Sequence, residues 1–583
     1  MQLSLVLASS LIGKHSLSYL LIAAAIYVAL TVRYLVRNRD AAPRAIERQG
    51  SGRKITFVSV AIWIIAVTYT ILVVQWSLKA GRLAMDSVAD DVGYLSDGLG
   101  RLNILHQDGF WAMLRSFWSS PPHSPWATVS AFLGFAIFGV HDWSPYLIYG
   151  SLVVVTLYAV NVLLGESNLI NRILILVSVL LIPFMLRAVH DFRPDFAAAL
   201  FADLFAIMTL RLACIERTFR HEVWTCFLVG LLAGIAYIAK PPFFGYTTVI
   251  CVSAMALAEI CYRIFSNDRL QLRATAQRLI GAVLGTLVIA LPYYSRAWKE
   301  TIEYFFQNAP GGSDGAIWTI PGGVWGSFNL YIRGPYMVQM LGFFGPLLIL
   351  WIILGAAAAI IHKNPRSLAF IICGLFLTIL SASIIVLGRS DNISFGLTWQ
   401  LLFLFVAVFA LGEASRSDRL NVAAVGACIL SILLCIAYPP TRDVWTVSED
   451  CRGEASINRR ALQKILETAK SNSQIQRPPS VFVTFAGNVA AYAQSWLALK
   501  DHIAVNLSDL HRSGSIETQL ARANKADFVE VADPASKWMY HWLPSAPIQE
   551  SLLHRLRADP SFKELDPIVG TEGVLCLFRK GGS

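Results

Sequence analysis

The sequence predicts a mostly α-helical fold: a polytopic transmembrane helix bundle of about 12 spans, followed by a small C-terminal α/β soluble domain. Three observations carry this. The chain is 55% hydrophobic and only 15% charged, against about 25% charged in soluble globular proteins, and its mean hydropathy is +0.55. Apolar stretches of roughly 18 residues or more recur from near the start to about residue 438, each long enough to cross the hydrocarbon core. They are continuous rather than alternating, so helices rather than barrel strands satisfy the backbone. Beyond Tyr438-Pro439-Pro440 charged residues become frequent and apolar runs shorten.

The spans are expected at 16–36, 55–78, 144–164, 172–187, 194–212, 222–240, 242–262, 279–297, 338–361, 366–387, 394–413 and 420–438. Segment 126–139 is shorter and lies between polar stretches, so it reads as a helix that dips in or lies at the interface. The net charge of +10 suggests nucleic-acid binding at first sight. Its distribution argues for topology instead, because Lys and Arg concentrate in short loops. Loop 37–54 carries Arg37, Arg39, Arg44, Arg48, Arg53 and Lys54, and loops near 211–221, 263–278, 362–366 and 415–419 are basic too. These are expected on the cytoplasmic side. The opposite face then carries 79–125, 187–193, 298–337, 388–393 and the C-terminal domain. Segment 16–36 lacks a basic start and an obvious cleavage site, so it reads as a span rather than a signal peptide. The chain divides into 1–54, an N-terminal span with its basic loop; 55–438, the transmembrane module; and 439–583, the outer domain.

In the C-terminal domain, strands are expected at Val481–Phe485, Ile503–Leu507, Asp527–Val531 and Gly573–Phe578. Helices are expected at Gly487–Lys500, Ile516–Asn524 and Ile548–Ala558. Of nine cysteines, seven lie in or beside spans and read as small apolar residues. Cys451 and Cys576 share the outer domain and either pair, if that side is oxidising and their separation allows it, or stay as free thiols.

The polar residues group at the outer ends of the spans. The first large outer loop holds Asp86, the adjacent pair Asp90-Asp91, Tyr94 and Pro122-His123-Ser124-Pro125. The acidic pair reads either as a helix start favoured by the dipole or as a carboxylate that takes a proton from a hydroxyl at the membrane surface. On a helix, Asp90, Tyr94 and Asp97 share a face. Further clusters are Arg187…His190-Asp191-Phe192-Arg193-Pro194-Asp195, Lys240-Pro241-Pro242 and Gly388-Arg389-Ser390-Asp391-Asn392. Basic residues at outer junctions oppose the positive-inside trend, and either bind anionic groups or cap helix ends.

The pattern Asp90-Asp91-x-x-Tyr94, then Pro122-His123-Ser124-Pro125, then an apolar stretch ending Phe138-Gly139, resembles the first periplasmic loop of GT-C glycosyltransferases. The bacterial relatives of protein mannosyltransferases and aminoarabinose transferases are similar. Arg187…Arg193-Pro194-Asp195-Phe196 and Lys240-Pro241 resemble later elements of the same superfamily, with Pro241 in place of a glycine. The resemblance covers roughly residues 55–300 by motif and the remainder by architecture. It implies transfer of a sugar from a polyprenyl-phosphate donor to a lipid, glycan or protein acceptor, at the outer face of a bacterial inner membrane. By it, Asp90 is the general base and Asp91 orients the acceptor or helps hold a divalent cation, if one is used. No other cofactor is implied. Arg193, Lys240 and Arg389 neutralise the leaving phosphate, with Arg187 and Arg333 as further phosphate ligands. Tyr94 and Asp195 line the site, His123 either lines it or caps the short helix, and loop 298–337 covers the acceptor or forms an interfacial aromatic belt. Three departures stand out: span 16–36 is extra, Asp rather than Glu follows Asp90, and Lys-Pro-Pro is stiffer than the family's junction. Other classes consistent with the composition are a secondary transporter, a glycan polymerase or ligase, and a membrane scaffold. Few mid-span charges and no evident internal symmetry weigh against the transporter.

Overall fold

Long apolar runs with no water to bond their backbone become helices, and the structure, a computed structural model, follows that rule. It describes residues 51–581 apart from 88–89, 166, 217–222, 267–271, 310–311, 313–314, 438–456, 472–476 and a few single positions (486, 488–489, 538, 540, 542, 571–572). Among the described residues, eight helices are long and apolar enough to cross a membrane: Val58–Ala80, Ser144–Leu164, Asp195–Ile215, Pro241–Phe265, Arg273–Asn308, Phe344–Ile361, Pro365–Gly388 and Ile393–Ser415. A ninth candidate, Leu169–Leu180 with Pro183–His190, is bent by 65°. Pro183 sits at the bend and has no N–H to continue the ladder.

The twelve expected spans are therefore not reproduced as such. Two of them, Val223–Ala239 and Asn421–Cys435, are shorter apolar helices. The expected span 16–36 lies outside the described residues. The expected span 338–361 is two elements, because Gly342 at φ +54° ends helix Pro335–Leu341 before Phe344–Ile361 begins. The expected span 279–297 is the middle of a 36-residue helix, about 54 Å long at 1.5 Å per residue. That exceeds the ~30 Å core, so its far end carries Trp298 and Tyr304 beyond the spanning part. Segment 126–139 forms the short helix Pro125–Phe138.

Helix Leu397–Ser415 is almost wholly buried and forms the axis of the bundle. Small residues let neighbours approach it and one another. A Cβ on Gly230 would lie 2.2 Å from Ala282 O, and one on Gly285 would lie 2.1 Å from Phe227 O. Helices Val223–Ala239 and Leu272–Asn308 therefore pack backbone to backbone. Among the described residues, Arg278, Arg366 and Arg416, from three of the basic loops, lie at one end of the bundle. There Arg416 donates to Leu164 O at 2.7 Å, Arg366 to Phe265 O at 3.2 Å, and Arg278 to Glu259 at 2.6 Å. The polar clusters gather at the other.

The C-terminal unit contains a mixed sheet of β1 (Ser480–Val483), β2 (Asn506–Asp509), β3 (Phe528–Ala532), β4 (Phe562–Glu564), β5 (Ile568–Val569) and β6 (Val574–Lys580). Its order is β2-β1-β3-β6-β4, with β5 also on β6. β1 runs parallel to β2 and β3, and β6 is antiparallel to β3. Alternation puts Val481, Val483, Leu575 and Leu577 on one face, and Phe482, Val529, Val531 and Phe578 on the other. Helix Ile457–Ser471 packs on the first face and was not anticipated from the sequence. Cys576 is buried on β6, and its expected partner Cys451 lies outside the described residues.

This unit docks on the first loop. Trp496 stacks on Phe135 with centroids 5.7 Å apart and donates its Nε1–H to Asp142 at 2.7 Å. Lys500 pairs with Asp142 at 2.8 Å. Asn458 donates to Asp86 at 3.1 Å, four residues before the acidic pair.

Candidate functional site

The acidic pair opens helix Asp90–Asp108, where a carboxylate meets the positive end of the dipole. The Asp90 side chain is outside the described part of the structure. Asp91 is 1% exposed. Its Oδ2 accepts from Arg82 Nε and Nη2, both at 3.3 Å, and from the Tyr146 hydroxyl at 3.2 Å. A buried carboxylate needs such partners. Arg82, on a single helical turn before the loop, was not singled out from the sequence, because nothing local signals a partner nine residues on.

The second cluster converges on Asp191. Arg187 Nε donates to it at 2.7 Å, and Arg193 lies 3.6 Å away. Burial raises the Asp191 pKa, but Arg187, Arg193 and His190 outweigh it, so the carboxyl is held below the usual carboxylate range and is ionised at neutral pH. Asp191 was also passed over as a site residue, although its i,i+4 spacing from Arg187 on a helix end was readable.

Asp195 begins the next helix and takes Lys240 Nζ at 2.5 Å. Lys240 ends helix Val223–Ala239, where Pro241 cannot continue it. The same ammonium lies 4.5 Å from the Phe243 ring centre and 4.6 Å from that of Phe395, a cation–π arrangement. The Tyr149 hydroxyl lies within electrostatic reach of Asp195, Asp191 and Asp91. Tyr146 lies within reach of Asp91, Arg82 and Asp191. The structure thus brings Asp91, Arg187, Arg193, Asp195 and Lys240 into one buried cluster, joined by Arg82, Asp191, Tyr146 and Tyr149.

Tyr94 and His123 meet beside it. Their rings stack at 6.4 Å, and His123 packs edge-on against Tyr304 at 4.8 Å. Ser124 fixes this loop to the Lys240 junction by donating to Ala239 O at 2.6 Å. Asp97 is turned to structural use, accepting from Thr128 at 2.8 Å and pairing with Arg101 at 3.2 Å.

Segments 315–343 and 388–396 form the remaining wall. Tyr331 donates to Ser390 O at 2.6 Å and lies 2.7 Å from Asn392 O, while Tyr336 donates to the Asp391 carboxylate. Burial raises the pKa of both tyrosines, so they remain donors. Arg389 sits at φ +50°, and its carbonyl accepts from Ile320 N at 2.8 Å. A cleft of about 360 Å³ opens here, lined in part by Asn329, Tyr336 and Asp391. Arg187 lies within electrostatic reach of Tyr336, and Asp195 of Tyr331, which joins this wall to the cluster. Arg389 therefore borders the site through its backbone. Arg333 departs from expectation: it is exposed on a π-helical turn, with no ion pair among the described residues. Among those residues no group of three or more His, Cys, Asp or Glu is arranged to hold a metal ion. Asp91, one of the two expected cation ligands, is engaged by Arg82 and Tyr146.

Solved structures share this architecture. ArnT from Cupriavidus metallidurans bound to undecaprenyl phosphate superposes with a TM-score of 0.52 at 12% identity, over 88% of this chain and 97% of that one. The apo state of the same protein gives 0.52 at 11% identity, over 89% and 98%. The chain has a GT-C-like fold. The arabinofuranosyltransferase AftD from Mycobacteria gives 0.50 at 14% identity, over 89% of this chain and 40% of that longer one. No protein-family model and no curated protein matches the sequence. At these identities the GT-C-like likeness is one of fold.

Proposed function

We propose that this chain is a membrane glycosyltransferase that moves a sugar from a polyprenyl-phosphate donor to a lipid, glycan or protein acceptor. The observation that carries the reading is the buried cluster at one end of a GT-C-like bundle. Arg82, Arg187, Arg193 and Lys240 face Asp91, Asp191 and Asp195 there, and Asp90 opens the adjoining helix. Asp90 apart, four cations stand against three carboxylates. These guanidinium and ammonium groups are the partners the cluster offers to a phosphodiester, which carries one negative charge. The solved ArnT complex with undecaprenyl phosphate supports a lipid phosphate as the ligand.

In this reading Asp90 takes the proton of the acceptor hydroxyl as its oxygen attacks the anomeric carbon. The C–O bond to phosphate breaks, and a single displacement inverts the configuration. The polyprenyl phosphate leaves as a stable anion, so a general acid is not required. Arg193 and Lys240, with Arg187 behind them, stabilise its developing charge in a site shielded from water. Arg offers a bidentate grip, while Lys acts as a point charge. Asp91, clamped by Arg82 and Tyr146, holds the helix start and orients the acceptor, and any divalent cation would require Asp90 and Asp91 together. The catalytic end and the C-terminal unit lie on the outer face of a bacterial inner membrane. The division at 54 and 438 separates the extra span, the catalytic module and the outer domain.

The test is transfer of radiolabelled sugar from lipid-linked donors by the purified chain. Asp90→Asn is expected to abolish transfer, by about 10²-fold or more, while retaining undecaprenyl phosphate binding. Full activity in that variant rejects Asp90 as the base.

A further inference from the structure

The two ends of the site differ in charge. The cluster end is cationic, with Arg187, Arg193 and Lys240 around buried acids. The cleft beyond it carries one carboxylate, Asp391, and no basic side chain in its lining. The cluster offers a phosphate its cations, whereas the lining of the cleft offers none. What suits the cleft is a neutral group rich in hydroxyls. Asp391 and the Asn329 amide offer acceptors and a donor, while Pro321, Leu330 and Pro335 offer flat apolar surface for C–H faces. At about 360 Å³ the cleft falls in the range of small-molecule sites.

The walls are held rather than loose. Asp391 N donates to Trp318 O at 2.6 Å, Ile320 N to Arg389 O at 2.8 Å, and Thr319 bridges Ser390. Tyr331 pins the same turn from behind through the Ser390 and Asn392 carbonyls. The Tyr336 hydroxyl fixes the Asp391 carboxylate and leaves its remaining lone pairs for a ligand. A carboxylate fixed in this way meets sugar hydroxyls without an ordering cost.

We propose that this cleft, between segments 320–336 and Asp391, is a glycosyl-binding subsite in which Asp391 and Asn329 recognise sugar hydroxyls. The proposal rests on the glycosyltransferase reading and deepens it. The sugar belongs either to the donor lipid or to a carbohydrate acceptor, and the experiment separates the two.

The full-length protein in detergent is titrated with undecaprenyl phosphate, with undecaprenyl phosphates carrying glucose, mannose or arabinose, and with the methyl glycosides of the same sugars. Wild type is compared with Asp391→Asn and Asn329→Ala, and thermal unfolding confirms that each variant is folded. A lost hydrogen bond to a charged group lowers sugar affinity on the order of 10- to 100-fold, with undecaprenyl phosphate affinity unchanged. Loss confined to the glycosylated lipids supports the donor sugar, and loss confined to the methyl glycosides supports an acceptor sugar. The proposal is overturned if wild type binds no glycoside and gains nothing from the sugar on the lipid, or if both variants bind as wild type does. Absent binding of undecaprenyl phosphate, with Asp391-dependent glycoside binding intact, overturns the polyprenyl reading and leaves the subsite standing.

Discussion

The Arg82–Asp91 pair gives the sharpest test of how the site is held together. Asp91 has a side chain only 2% exposed, whereas Arg82 is 22% exposed. Removing Arg82 takes two donated hydrogen bonds from a buried carboxylate that the Tyr146 hydroxyl also bonds. Breaking a buried pair from one side costs about 3–5 kcal/mol. Arg82→Ala is therefore expected to lower stability by that amount, a few degrees in unfolding temperature for a chain of this size. Asp91→Asn alone leaves the guanidinium partly hydrated and costs less, about 1–3 kcal/mol. The double variant removes both charges, so its loss falls well short of the sum, with a coupling energy of at least about 2 kcal/mol. The assay is thermal unfolding of detergent-solubilised protein, read for both single variants and the double. Additive losses, within about 0.5 kcal/mol, would refute the claim that this ion pair organises the helix start at Asp90.

Three other predictions follow from the same structure. Burial raises the Glu530 pKa from 4.5 to about 7 despite a hydrogen bond from Gln494. The folded state then holds its proton more tightly than the unfolded chain, so this residue's contribution is fully present below pH 4.5 and is lost as pH rises to 7. The shift corresponds to about 3 kcal/mol. Glu530→Gln should remove that dependence in a pH series of unfolding curves, and an unchanged slope would count against it. Trp496→Ala removes the stack on Phe135 and the bond to Asp142, at about 3–5 kcal/mol. Limited proteolysis should then cut around the C-terminal unit faster, and an unaltered rate would show that the unit docks by other contacts. Gly285→Val places a side chain where Phe227 O lies 2.1 Å from the Cβ position. The two helices must part, at a cost of about 1–3 kcal/mol or more, and an unfolding temperature equal to wild type would refute that packing.

Much of the site was readable because its residues interrupt apolar runs. Arg187, Arg193, Asp195 and Lys240 are conspicuous where a membrane segment ends, and a charge at such a place has to be paired. Their partners were not readable. Lys240 meets Asp195 across 45 positions, and Tyr146 meets Asp91 across 55. Arg82 meets Asp91 nine positions on, whereas Asp191 meets Arg187 only four away on a helix end. Asp391 was named only as part of a polar turn, and its place in a cleft wall depends on Tyr336, 55 positions away. Arg333, expected as a phosphate ligand, lies exposed on a π-helical turn, a placement set by the local backbone and not by its charge. Four of the six C-terminal strands are legible as short apolar runs between helical patterns, whereas β4, β5 and helix Ile457–Ser471 are not among the expected elements.

The sequence by itself determined the membrane-embedded helical body, the α/β unit after it, and the gathering of polar residues at one end. Each follows from local rules: apolar length, two-residue alternation and charge at span ends. Tertiary structure alone decided how many helices are long enough to cross, that Leu169–His190 is a bent pair, and which acid meets which base. Those outcomes depend on approach between distant helices. A glycine or a proline sets the approach, and a buried charge accepts whatever partner that approach delivers.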